Sequence, residues 1–237
     1  MKSLHCFFRI ETEVRKPFML FVFRSRFFCS TAVKFREMKQ AELFRTERRM
    51  PPGFVYEPDF ITHEEEAALL AEIGTLPLTE AKYKDYTAKR RIMSYGAGYD
   101  FSRYRLTPAG PIPHFLEKLR ERVAQWVNIP VSRFTYALVT EYKTGTQLGW
   151  HRDLPDFDIV VGVSLGGRCR MRLRPYPPKK GRPAETLSMD LEPRSIYMMR
   201  GEARWRWQHS IPPTKMTRYS ITFRTSSEPA KGANLSR

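Results

Sequence analysis

From Arg133 onward the side chains alternate with a period of two, and this constrains the fold more than any other feature of the chain. Phe134, Tyr136, Leu138, Thr140 and Tyr142 alternate with Thr135, Ala137, Val139 and Glu141. Arg168, Arg170, Arg172 and Arg174 alternate with Cys169, Met171 and Leu173, arginine out and apolar in. Ile159 to Leu165 is an apolar run, and Thr186–Leu191, Ser195–Met199 and Thr217–Phe223 complete the set. Successive side chains of an extended chain point to opposite faces, so each segment reads as a short strand with one buried face. Gly166-Gly167, Pro177-Pro178, Pro193 and Pro212-Pro213 punctuate them as turns.

Upstream the period is 3.6. Thr62-His63-Glu64-Glu65 is a capping box, and Ala67, Leu69, Leu70 and Ile73 mark a short amphipathic helix behind it. Pro113 opens a second helix with Phe115, Leu116, Leu119, Val123 and Trp126 on one stripe. His63 and His114 fall in the first turns of these helices; His63 reads as a surface helix residue and His114 as structural. Residues 78–105 are polar, basic and aromatic, and read as strands and loops. The fold class is therefore α+β and mainly β: an antiparallel jelly roll with N-terminal helices packed on one sheet.

Residues 1–50 differ from the rest, with twelve Lys/Arg, five Glu, one Pro and no Gly. They read as a flexible basic extension or as sequence ahead of a later start at Met38 or Met50; an organelle transit peptide is the alternative. Pro51-Pro52-Gly53 marks the boundary, 51–237 is the domain, and the tail 226–237 is expected to be disordered. The longest early apolar run, Pro17 to Phe23, falls far short of the roughly 18 residues of a membrane span. A cytoplasmic monomer that needs no membrane is expected. Three cysteines without paired spacing argue against a disulfide framework or a zinc ribbon. The net charge of +16 fits either a polyanionic partner or a merely basic surface.

His151-Arg152-Asp153 follows the first long strand. On an extended backbone, residues 151 and 153 share a side and can share one metal ion. His209 is the remaining histidine outside the extension and the helices. Two histidines and a carboxylate suit non-haem Fe(II) and leave three positions open; two unrelated surface histidines are the other reading. In Arg218-Tyr219-Ser220-Ile221-Thr222-Phe223-Arg224 the even positions share one face. Two arginines on the polar inner face of a core strand need anionic partners. Those are either the two ends of a small dicarboxylate or Asp/Glu at the rim.

His151-x-Asp153, then His209, then Arg218 and Arg224 in a strand ending Thr-Phe-Arg, is similar to the AlkB family of Fe(II)- and 2-oxoglutarate-dependent dioxygenases. The resemblance runs from Gly53 to Thr225 and implies a double-stranded β-helix. It implies Fe(II), 2-oxoglutarate as cosubstrate and O₂, with His151, Asp153 and His209 as iron ligands. It implies Arg218 at the distal 2-oxoglutarate carboxylate, Arg224 near the metal end and a hydrogen bond from Tyr142. Thr140 and Ser220 stand where the family often has asparagine, so shorter polar groups would edge the cosubstrate. Leu154-Pro155 replaces an acidic residue found in some DNA-repair members.

The implied reaction is oxidative dealkylation of N-alkylated nucleobases in DNA or RNA, releasing formaldehyde, succinate and CO₂. The expected substrate is single-stranded or a flipped base, held by Arg90, Arg91, Tyr95 and Tyr99 in a lid over 78–105 and by Trp205 beside His209. Lys82, Tyr83, Lys84 and Tyr86 belong to the same lid. The alternatives are the same chemistry on a modified tRNA base or a protein side chain, or a non-catalytic RNA-binding domain.

Overall fold

A computed structural model describes residues 50–83, 86–100, 105–178 and 185–227, without side chains at 82, 83, 86, 100 and 105. The extension at 1–49, the tail from 228, and the side chains expected from Lys82, Tyr83, Lys84 and Tyr86 lie outside the described residues. The chain runs β1 (Phe54–Glu57), α1 (His63–Thr75), β2 (Thr79–Tyr83), β3 (Tyr86–Tyr95), β4 (Ala97–Asp100), β5 (Arg105–Pro108) and α2 (His114–Val127). Then follow β6 (Phe134–Tyr142), β7 (Leu148–His151), β8 (Phe157–Gly166), β9 (Cys169–Pro175), β10 (Leu187–Leu191) and β11 (Ile196–Met199). The last elements are α3 (Gly201–Trp205), β12 (Trp207–Ile211) and β13 (Arg218–Ser226).

Two antiparallel sheets form the jelly roll. The major sheet has the order β1-β11-β8-β13-β6-β3-β2, the minor sheet β10-β9-β12-β7, and β4-β5 is a separate pair. The structure adds to the sequence reading in three places. A strand precedes α1, and β1 pairs with β11 at the sheet edge. Residues 78–95 include β2 and β3, and β3 pairs with β6 to extend the major sheet. Ser226 still belongs to the last strand, so the ordered chain runs past the expected boundary at 225.

The capping box forms as read: Thr62 Oγ1 accepts from the Glu65 N–H at 3.2 Å, and the Thr62 N–H donates to Glu65 Oε2 at 2.9 Å. Glu65 also receives Arg122 at 2.9 Å, which ties α1 to α2. Leu116, Leu119 and Val123 of α2 and Leu69 and Ile73 of α1 pack with Val139, Val161, Val163, Leu165, Ile221 and Phe223. These strand residues occupy alternate positions on β6, β8 and β13, so one face of the major sheet is an apolar seat for the helices. The other face looks toward the minor sheet. There Tyr142, Val160, Tyr197 and Met199 meet Cys169, Met171, Leu173 and Ile211. Gly162 permits this packing: a Cβ there would lie 2.4 Å from the Tyr197 ring.

Candidate metal centre and cosubstrate pocket

Strand alternation delivers the polar residues to the space between the sheets. His151 ends β7 and His209 sits in β12, and the two are directly opposed in the antiparallel register. Their ring centroids are 4.1 Å apart. Asp153 lies two residues beyond β7 and turns its carboxylate in. One ligand atom from each of the three falls within 4.8 Å of the others.

The donor set fits a metal ion. His151 Nδ1 lies 2.9 Å from the Gly149 carbonyl, which can only accept, so this nitrogen carries the proton and Nε2 keeps its lone pair. Burial lowers the His151 pKa, and burial with His151 alongside pushes His209 down to about 3, so both rings are neutral at neutral pH. Asp153 divides its two oxygens. Oδ1 accepts from Arg224 Nε at 3.1 Å and Nη2 at 3.0 Å. Oδ2, buried, has no hydrogen-bond partner among the described residues and lies 3.8 Å from His209 Nε2. Burial works to raise the Asp153 pKa, but Arg224, His209 and His151 outweigh it and hold the carboxyl below its ordinary range. A buried, ionised oxygen left without a donor is costly unless a cation meets it.

Arg204 of α3 is 2% exposed and braces the backbone behind this carboxylate. Its Nη2 donates to the carbonyls of Asp153 at 3.1 Å, Phe157 at 2.8 Å and Leu154.

A cavity of about 70 Å³ includes the triad in its lining. Thr140, Tyr142, Arg218, Ser220 and Arg224 line it from the major sheet, with Arg90 from β3. Arg218 is 1% exposed. Its Nη2 donates to Ser164 Oγ at 3.0 Å, and its guanidinium lies 4.9 Å from the centre of the Tyr142 ring. Nε and Nη1 of Arg218 are buried with no partner among the described residues. The two arginines thus differ. Arg224 is committed to Asp153, the acidic partner that the sequence left open, so the two do not form a symmetric clamp. Arg218 lines the same cavity with Nε and Nη1 unpartnered among the described residues. Burial pushes the Tyr142 phenol up, so it remains a donor at neutral pH.

Four expected substrate residues lie off the cavity. Arg91 forms a fork to Glu141, with Nη2 2.8 Å from Oε1, because residues 91 and 141 face each other across β3 and β6. Tyr95 is 6% exposed inside the core under the helices. Tyr99 belongs to the separate β4-β5 pair. Trp205 is 37% exposed on α3, and its carbonyl accepts from Arg152 at 3.0 Å. Conversely, sequence reasoning gave no role to Tyr197 and Ser164, which carry no local signal, or to Thr222, although it shares the even face of β13. Arg204 reads in the sequence only as one cation of the basic run around Trp205.

A jelly roll with two histidines and one aspartate between its sheets, beside a buried arginine, defines an iron- and 2-oxoglutarate-dependent oxygenase. The family model for the 2OG-Fe(II) oxygenase superfamily matches residues 53–224. The chain belongs to that superfamily and, within it, to the AlkB family. It is accordingly a dioxygenase, with Fe(II) as metal, 2-oxoglutarate as cosubstrate and O₂. It is 29% identical over 186 residues to the alkylated DNA repair protein ALKBH8 homolog of Arabidopsis thaliana, covering 70% of this chain and 52% of that one. It is 32% identical over 193 residues to uncharacterized protein L905 of Acanthamoeba polyphaga mimivirus, covering 73% and 84%. The chain therefore spans about half the length of the Arabidopsis relative. The solved structure of OsALKBH1 shares the fold with a TM-score of 0.58 at 18% identity, over 75% of this chain and all of that one.

Proposed function

We propose that the protein removes N-alkyl groups from bases of DNA or RNA by oxidation. The observation that carries the reading is the divided carboxylate of Asp153, one oxygen held by Arg224 and the other open beside His209, in a cavity that also holds the open donors of Arg218. The name of the Arabidopsis relative, an alkylated DNA repair protein, and the net charge of +16 support a nucleic-acid substrate.

His151, Asp153 and His209 would hold Fe(II). With 2-oxoglutarate and O₂, the metal supplies oxidative decarboxylation to succinate and CO₂ coupled to hydroxylation of a C–H bond. On an N-methyl group this gives a hemiaminal, which releases formaldehyde and leaves the unmethylated base. The chain's own residues bind and orient. Arg218 would take the distal carboxylate of the cosubstrate on Nε and Nη1, with Tyr142 donating beside it and Thr140 and Ser220 edging the cavity. Arg224 and Arg204 would keep the Asp153 carboxylate aimed. The apolar walls Leu138, Met171, Leu191 and Ile211 would exclude water. Arg90, on the same wall, is the substrate-side residue the reading retains.

Formaldehyde release tests this. The full chain with Fe(II), 2-oxoglutarate and ascorbate is offered methylated single-stranded DNA, methylated RNA and a methyl-lysine peptide. Formaldehyde from an oligonucleotide, in a one-to-one ratio with succinate, is expected. Formaldehyde from the peptide alone would overturn the reading.

A further inference from the structure

The alternating arginines of β9, and Arg168 just before it, have no part in the cavity. Their side chains stand on the outer face of the minor sheet, and they are not equivalent. Arg170 is in a fork with Asp190 at 2.8 Å, and Arg168 reaches Glu192 at 3.5 Å. These two are compensated by carboxylates and read as ordinary cross-strand pairs. Arg172 and Arg174 have neutral partners instead: Arg172 Nε donates to Ser210 Oγ at 3.1 Å, and Arg174 Nε donates to Gln208 Oε1 at 2.9 Å. Both guanidinium carbons lie over the Trp150 ring, 5.1 and 4.4 Å from its centre. Arg152 repeats the pattern, donating to the Trp205 carbonyl and lying 3.9 Å from the centre of the exposed Tyr176 ring.

Three cations are thus fixed by neutral hydrogen bonds and aromatic faces, with no carboxylate among the described residues in ion-pair range. A guanidinium stacked in this way loses little further freedom on meeting an anion. Arg172 and Arg174 stand two residues apart on one strand face, so their Cα atoms are ~7 Å apart. That separation is comparable to the spacing of successive phosphates on an extended strand. The placement also matters. Trp150 and Arg152 point out, while His151 and Asp153, interleaved with them in sequence, point in.

We infer that Trp150, Arg152, Arg172, Arg174 and Tyr176 form a binding strip for the phosphate backbone of single-stranded nucleic acid, on the back of the sheet that carries His151 and His209. The strip rests on the nucleic-acid reading above and extends it. It would hold a stretch of strand outside the cavity, adding affinity without reading sequence.

The test is the salt dependence of binding to fluorescein-labelled, unmodified single-stranded DNA and RNA, followed by fluorescence anisotropy with the full chain. Each phosphate contact on a single strand contributes about 0.7 to the slope of log K against log salt. Arg172→Gln with Arg174→Gln should lower that slope by about 1.4 for both strands. The ratio of native to variant affinity should then shrink roughly sevenfold between 50 and 200 mM salt. Arg172→Lys with Arg174→Lys should retain most of the slope. Lys118→Gln with Lys143→Gln removes the same charge from exposed positions elsewhere and should leave the slope unchanged. Succinate formation without nucleic acid should be native in all variants, which reports an intact site. An unchanged slope in the arginine-to-glutamine variant, or an equal fall in the lysine control, overturns the strip. If the native chain still releases formaldehyde from oligonucleotides in that case, only the strip fails. If it binds neither strand and acts on the peptide alone, the nucleic-acid reading fails with it.

Discussion

Arg218→Met should leave the ligand-free protein about as stable as the native chain while abolishing its response to 2-oxoglutarate. The reasoning starts from what the guanidinium lacks. It is buried with one hydrogen bond, to Ser164 Oγ, and two donor atoms, Nε and Nη1, without partners among the described residues. An unmet buried donor costs about 1–3 kcal/mol, and more on a charged group. Methionine removes those unmet donors and the charge, loses one hydrogen bond, and fills a similar volume. These terms offset, so the ligand-free urea midpoint should barely move. On the proposed assignment, a bound carboxylate would meet both donors in the native chain. Arg218→Lys, which offers a point charge in place of a fork, should lose about 1.5–3 kcal/mol of that binding, or about 10- to 150-fold in affinity. At a 2-oxoglutarate concentration 100 times the native Kd, the native chain gains about 2.7 kcal/mol of stability. The lysine variant should gain only about 0.3–1.4 kcal/mol, and the methionine variant essentially none. Thermal unfolding with redox-inert Ni(II), with and without 2-oxoglutarate, reads all three. Native ligand-induced stabilisation in Arg218→Met would refute the anchor. A methionine variant several kcal/mol less stable without ligand would show that Arg218 holds the fold instead.

His151→Ala, Asp153→Ala and His209→Ala should each stop succinate formation and weaken Co(II) binding followed by its visible absorption, with the fold intact by circular dichroism; native Co(II) affinity in any one excludes that residue as a ligand. Arg204→Met should lower stability by about 1–3 kcal/mol, since it removes the hydrogen bonds to three carbonyls behind Asp153, one of them buried and two partly buried, and urea unfolding within about 0.5 kcal/mol of native would show that the loop behind Asp153 holds without it. Its Co(II) affinity should fall as well. Glu141 has its pKa held below 4.5, first by the hydrogen bond from Arg91. Its contribution to stability is complete above 4.5 and is lost as pH falls through the lower folded value, so Glu141→Gln should flatten the acid limb of stability against pH, and an unchanged limb would deny the pair that role.

The sequence carried β6, β9 and β13 plainly, because each has one face in a core and one outside it, and alternation records that difference directly. It carried His151 and Asp153 for the same reason. It did not carry β1 or the place of β3. Phe54–Glu57 is four residues long, and its partner β11 begins near residue 196, so only a distant pairing makes it a strand. Tyr86–Tyr95 looked like a basic surface lid because its charge is solved across the sheet: Arg91 meets Glu141, fifty positions away. Tyr95 was misplaced because an aromatic residue reads alike in a core and at a binding face. Arg204 was hidden differently. The short α3 turns one arginine of a basic-aromatic run inward while Trp205 beside it stays exposed, and no periodicity over five residues could show which would be buried.

A polar cavity at the centre of a domain needs stability from somewhere else, and β13 shows where it comes from. Tyr219, Ile221 and Phe223 pack into the core beneath α1 and α2, while Arg218, Ser220, Thr222 and Arg224 line the cavity on the opposite face. β6 divides in the same way, with Val139 toward the helices and Leu138 and Thr140 toward the cavity. The helix side is thus free to be mainly apolar, with the Arg91–Glu141 pair set into it, and to hold the sheet in register. That register in turn sets Arg218 opposite Tyr142 and Gly166, and Arg224 opposite Tyr136 and Val160. A slip of one residue would exchange the faces and bury Phe223 where Arg224 meets Asp153. The apolar face therefore does more than stabilise the domain. By fixing register it fixes which Asp153 oxygen is held and which stays open, and with it the direction from which a metal ion can be met.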